Sequence, residues 1–184
     1  MARLPLVPER PADPDLNRIF TELRRQGREP SNLYRTLGHA PRMLDAWVGM
    51  AWPLRAAPSA ARALRELMIL RSAQLTEAEY EWAHHRRMAA EAGVAEDKLL
   101  ALAGWRSSNL FDAAERAALA YAEAIVANEV GDEVFEEVRR VFSPGEVIEL
   151  TVTASFYAGV SRALRALRVD LEPGYEEELR HMRA

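Results

Sequence analysis

The 184-residue chain contains no cysteine. That absence excludes disulfides, thiolate nucleophiles and cysteine-ligated metals. Lysine is almost missing as well: Lys98 is the one lysine among 24 basic residues, and the rest are arginines. Arginine suits bidentate recognition of carboxylate and phosphate. Here the arginines are scattered, which fits base composition better than a dedicated anion surface. The net charge of −4 gives no footprint for nucleic acid. No apolar run approaches the ~18 residues of a membrane span, and the first residues, with Pro5 and Pro8, lack the apolar centre of a secretion signal. The expectation is a cytoplasmic protein with no membrane or nucleic-acid partner. There is no Gly-x-Ser-x-Gly elbow and no glycine-rich phosphate loop.

What is present is helical. With 49% hydrophobic and 28% charged residues, the chain can bury the core of one domain. Residues 1–12 are proline-rich and read as an extended arm, and Pro14 just beyond them also disfavours an ordinary helix. Asp15 to Gln26 places Leu16, Ile19, Phe20 and Leu23 on one face. Ser31 opens a short helix to Leu37. Pro41 starts another towards Trp52, and Pro53 and Pro58 should break it. Ser59 is the expected N-cap of a helix to about Leu75. Thr76 with Glu79 reads as a capping box for the next, which ends at Gly93. Ala95–Ala103 follows, then a helix capped by Asp112 to about Glu129, then Asp132–Phe142. Ser143-Pro-Gly-Glu146 caps the last major helix, to about Arg168. No segment alternates with period two. The expected fold is all-α, with one domain over residues 1–184.

Three ionisable residues carry the chemical interest. Glu66 sits among Leu64, Leu67, Met68, Ile69 and Leu70, so it must be paired or protonated if buried. It could serve as a proton relay, or pair with Arg62, Arg65 or Arg71 at the surface. Glu81 and His85 lie four apart, on one helix face. A carboxylate beside an imidazole is a proton-transfer pair in a dry cavity and a plain ion pair on a solvated face. Glu81-Trp-Ala-His84 and Glu178-Leu-Arg-His181 both show the Glu-x-x-His spacing of di-iron bundles. The second lies at a terminus, so no metal is expected. Trp47, Trp52, Trp105, Phe156 and Tyr157 could line a pocket, although aromatics at helical spacing are usually core.

These residues also form a recognisable pattern. Arg65-Glu-Leu-x-Ile-Leu-Arg71, then Glu79-Tyr-Glu-Trp-x-x-His85, Ala89 and Gly93, resembles the carboxymuconolactone decarboxylase family, also called AhpD-like. Asn32-Leu-Tyr-Arg-Thr-Leu-Gly-His-x-Pro41, Asp112-x-x-Glu-Arg-Ala-Ala-Leu119 and Phe142-Ser-x-x-Glu146 extend the likeness over roughly residues 4–171. The resemblance implies an all-helical homo-oligomer, a trimer or hexamer. It implies one of two activities: peroxide reduction by a Cys-x-x-Cys pair, or cofactor-free decarboxylation of a carboxylated butenolide. It maps relay roles onto Glu66 and His85. The cysteines would fall at Ala78 and Glu81, so the resemblance is to the branch without the thiol pair. It implies a cofactor-independent lyase or isomerase acting on a small carboxylated lactone or carbonyl compound, with Glu66, Glu81 and His85 catalytic. Trp82, Tyr157, Tyr80, His39 and Arg71 are the candidate substrate-binding residues. A non-catalytic helical oligomer is the alternative from another class, and an alkylhydroperoxidase-like antioxidant protein without thiol catalysis is a third.

Overall fold

The computed structural model describes residues 2–56, 59–180 and 182; Pro58 and His181 lie outside them. The described chain is helical and, among those residues, has no strand. The helices are α1 (Pro14–Arg25), α2 (Asn32–Leu37), α3 (Pro41–Ala56), α4 (Arg62–Thr76), α5 (Glu79–Glu91), α6 (Glu96–Ala101), α7 (Ala113–Ala127), α8 (Asp132–Val141) and α9 (Pro144–Leu167). Short 3-10 turns cover Leu102–Gly104 and Glu176–Leu179.

Helix α4 is the hub. It packs against α5, α7 and α9, and its side chains enter three separate apolar clusters. Ile69 joins the cluster built on α1, α2 and α9. Leu67, Leu70 and Ala73 join the one under α5 and α6. Leu64 and Met68 join the one between α7, α8 and α9. A helix buried on so many sides takes Arg65, Glu66 and Ser72 away from water, while Arg62 and Arg71 keep part of their surface in it. Glu66 is therefore inside, and its charge has to be met by the protein.

Several helix starts follow the local chemistry. Asp112 and Ser143 each form a reciprocal capping box, with Glu115 and Glu146. Gly93 follows α5 at φ +89°, a backbone state that costs glycine little. Four expectations are corrected. Pro14 does not oppose helix: it is the first residue of α1, where its missing N–H costs nothing, and Asp13 caps it by accepting from Leu16 N–H. Pro53 does not end α3, which continues to Ala56. Ser59 does not cap α4, which starts at Arg62 without a side-chain cap; the Ser59 and Ala60 N–H groups instead donate to the Glu149 carboxylate, at 3.3 and 2.8 Å. Thr76 does not cap α5 either. It is the last residue of α4, its hydroxyl donates back to Ser72 O at 2.7 Å, and the chain turns at Glu77, φ 52°.

The proline-rich arm is extended and tied down. Arg3 N–H donates to Leu167 O and Val7 N–H to Arg35 O, while His39 Nε2 bonds Pro5 O at 2.7 Å. Gly38 permits this approach, since a Cβ there would sit 2.8 Å from Val7 Cγ2. No helix among the described residues is long and apolar enough to cross a membrane.

Candidate active site

The antiparallel packing of α4 on α5 puts Glu66 opposite His85. His85 Nδ1 lies 2.7 Å from Glu66 Oε2. One turn back on α5, Glu81 Oε1 lies 2.9 Å from His85 Nε2. The imidazole is thus held between two carboxylates, and all three residues are 2–3% exposed. Burial alone would push the imidazole pKa down, but Glu66 and then Glu81 outweigh it and lift it to about 9. Burial also pushes the Glu66 carboxyl up, but the His85 charge and Arg62 leave it below the usual carboxylate range. Arg62 Nε stands 3.4 Å from Glu66 Oε1. The array is an imidazolium between two carboxylates, with one of them also meeting a guanidinium.

A cavity of roughly 640 Å³ opens beside this array, a size suited to a small organic ligand. Glu81 and His85 line it, and Glu66 stands behind them. Tyr157 from α9 meets His85 edge-on, with ring centroids 4.8 Å apart. Phe156 packs on Tyr157 and Trp47, closing an aromatic wall. Arg28, Arg55, Arg62 and Arg87 supply cationic groups to its wall, and Glu29, Glu91 and Glu172 stand among them. Burial first, and then the Arg55 and Arg62 charges, lower the Arg28 pKa, against Tyr34 and Glu91.

The sequence candidates divide. Glu66, Glu81, His85 and Tyr157 come together, and Tyr80 reaches the cavity through its hydroxyl side, where it donates to Glu172 Oε1 at 2.7 Å. Trp82 does not line the cavity. Its ring is fully buried on the other face of α5, packed with Leu67 and Leu102, and its N–H donates to Glu178 O at 2.7 Å. His39 is exposed between α2 and α3, does not line the cavity, and holds the N-terminal arm. Arg71 points to α7, where Nε donates to Glu123 Oε1 at 2.6 Å. The Glu81-x-x-His84 pair does not converge: Glu81 turns to His85, while His84 meets Glu172 Oε2 at 2.7 Å between the Tyr80 and Tyr175 rings. Among the described residues, no group of three His, Asp or Glu side chains is arranged to hold a metal ion.

Sequence reasoning missed Arg28, Arg55, Arg62 as a cavity wall, Tyr34, and Glu172. The arginines come from three separate segments, so spacing along the chain carries no sign of their meeting. Glu172 lies on an irregular segment after α9. That segment folds back so that Glu172 accepts from Asn32 N–H, Tyr80 O–H and His84, covering one side of the cavity.

Residues 41–124 match the model for the carboxymuconolactone decarboxylase family. They span α3 to α7 and include the whole Glu66–His85–Glu81 array. That segment, 84 of the chain's 184 residues, is similar to the family. Solved structures extend the likeness over the chain. A cysteine-to-alanine variant of the debrominase Bmp8 in complex with 2,3,4-tribromopyrrole superposes with a TM-score of 0.83 at 22% identity, covering 99% of this chain and 100% of that one. An uncharacterized peroxidase-related protein from Ralstonia eutropha JMP134, an alkylhydroperoxidase AhpD core, gives 0.78 at 17% identity over 100% of this chain and 97% of that one. Another peroxidase-related protein, from Silicibacter sp. TM1040, gives 0.79 at 17% identity over 97% and 98%. At these identities the likeness is one of fold: the fold is AhpD-like. No curated protein matches this sequence.

Proposed function

We propose that this protein is a cofactor-independent acid–base enzyme of the lyase or isomerase type, acting on a small carboxylated lactone or carbonyl compound. The observation that carries the reading is the buried Glu66–His85–Glu81 array ending at a cavity with arginines in its wall. Buried ion pairs are costly to build. One placed at the floor of a cavity, with its middle member an imidazolium, is suited to holding and releasing a proton.

The chemistry needs no cofactor when the substrate is its own electron sink. In decarboxylation, the bond to the leaving carboxyl carbon breaks and its electron pair spreads into the neighbouring carbonyl as an enolate. Carbon dioxide leaves. The His85 imidazolium, steadied by Glu66, passes its Nε2 proton to the Glu81 carboxylate, which delivers it to the enolate carbon. Solvent then restores the proton. In isomerisation the same Glu81 carboxylate removes a proton beside a carbonyl and returns it at another carbon. Both routes run through an enolate, and the arginines would stabilise its oxygen. Peroxide reduction through a thiol pair is closed to this chain, which has no cysteine.

The test is a screen of carboxylated lactones and β-keto acids for carbon dioxide release, followed by His85→Ala and Glu81→Gln on any active substrate. Each substitution should lower turnover ~10²–10⁴-fold. Unchanged turnover in His85→Ala would remove the array from the reaction.

A further inference from the structure

Beside the acid–base array, the cavity contains two hydrogen-bonding atoms that the described protein leaves unmatched. The Tyr157 hydroxyl and Arg55 Nε are both shut off from solvent and neither meets hydrogen-bond geometry with another described group; the two side chains nevertheless stand close enough to act on one another, Arg55 drawing the phenol's pKa down. Tyr157 as a whole is 2% exposed. Most buried polar side-chain atoms are paired, and leaving one unpaired costs ~1–3 kcal/mol. Both residues line the cavity. They come from different helices, α9 and α3, and the Tyr157 ring leans on His85. Arg55 is steadied from its other end, where Nη1 donates to Tyr34 Oη at 3.4 Å.

We propose that the Tyr157 hydroxyl and the Arg55 guanidinium form an oxyanion-binding corner, next to the Glu81–His85 proton donor, that takes a conjugated enolate or phenolate oxygen of a planar ligand. The inference rests on the acid–base reading above and gives its intermediate a place to sit. A phenol O–H and a guanidinium N–H are both donors, so together they suit an oxygen carrying negative charge better than a neutral carbonyl. Burial pushes the Tyr157 phenol above its ordinary pKa, although Arg55 opposes this; the hydroxyl therefore keeps its proton and remains a donor. The flat Trp47 and Phe156 rings beside the corner favour an aromatic or conjugated ligand over a saturated one.

The probe is 4-nitrophenol, whose yellow phenolate absorbs apart from the neutral phenol. The wild-type protein should bind it as the phenolate at a pH where the free dye is still largely neutral. Tyr157→Phe, which removes one oxygen, and Arg55→Met should each weaken binding ~10–100-fold, the range for a hydrogen bond to a charged group. Both should also return the bound dye towards its neutral form, a spectroscopic change that mere loosening of the fold would not give. Glu81→Gln should keep the yellow bound state while lowering turnover ~10²–10⁴-fold, which separates the corner from the proton donor. Equal affinity of wild type and Tyr157→Phe, binding of the neutral phenol, or no binding by the wild type would each overturn the proposal. Tyr157-dependent phenolate binding without turnover on any screened substrate would support the corner and count against the acid–base reading alone.

Discussion

Two charged networks lie inside this fold, and their differences separate structure from chemistry. In one, Glu123 on α7 accepts from Arg71 Nε at 2.6 Å, Trp105 Nε1 at 2.8 Å and Arg106 Nη2 at 2.6 Å. It fastens α7 to α4 and to the turn after α6. Burial raises the Glu123 carboxyl, but these three donors outweigh it and hold the pKa low. None of these four residues touches the cavity. In the other network, His85 joins Glu66 and Glu81, and the array stops at open space with unpaired donors nearby. Both networks contain a carboxylate with a shifted pKa and short contacts. Only the second leaves hydrogen-bonding capacity for a ligand. Charge pairing by itself marks neither function nor its absence; what sets the second network apart is that it ends at a cavity.

The comparison breaks most visibly in turnover. On an active substrate, Glu81→Gln and His85→Ala should cost ~10²–10⁴-fold, whereas Glu123→Gln should leave turnover unchanged. Comparable losses from all three would erase the distinction. Next comes stability. Glu66→Ala leaves the His85 charge buried with one partner fewer, and breaking a buried pair costs about 3–5 kcal/mol. Urea unfolding of the variant measures this, and a loss well under 1 kcal/mol would mean that the pair is not buried in solution.

The pH dependence sharpens the same point. The His85 pKa rises from 6.5 when unfolded to about 9 when folded. Its stabilising contribution is therefore complete below about 6.5 and is lost as pH rises through about 9, by roughly 3 kcal/mol in all at ~1.4 kcal/mol per unit. Glu66 has its pKa lowered from 4.5, so its contribution is present above about 4.5 and lost as pH falls further. The array should stabilise most between those limits, and His85→Gln should flatten the alkaline decline in a series of unfolding curves. The smallest effect belongs to the structural network: Glu123→Gln should cost about 1–2 kcal/mol, read as a lowered denaturation midpoint.

Much of this was legible in the residues. The 3.6-residue periodicity and the Asp112 and Ser143 capping boxes give the helices, because caps are local chemistry. Glu66 in an apolar helix and Glu81 one turn before His85 give the array, because burial and the i,i+4 spacing are also local. Legibility failed wherever a distant segment decides. Glu149 on α9 takes the N–H groups that Ser59 was expected to serve, and α4 runs on through Thr76. Trp82 and His85 are both buried on α5, but periodicity does not say which face meets the core and which the cavity. Arg55 and Glu172 reach the cavity from segments far away in sequence, and no spacing rule joins them to His85.

The central claim is that His85 carries its proton between two carboxylates at neutral pH, and the ring-nitrogen chemical shifts of His85, assigned by comparison with His85→Gln, test it most directly. The account predicts both nitrogens protonated at neutral pH, with the proton lost only near pH 9. One protonated and one bare nitrogen at neutral pH, with a transition at the ordinary imidazole value of ~6.5, would contradict it.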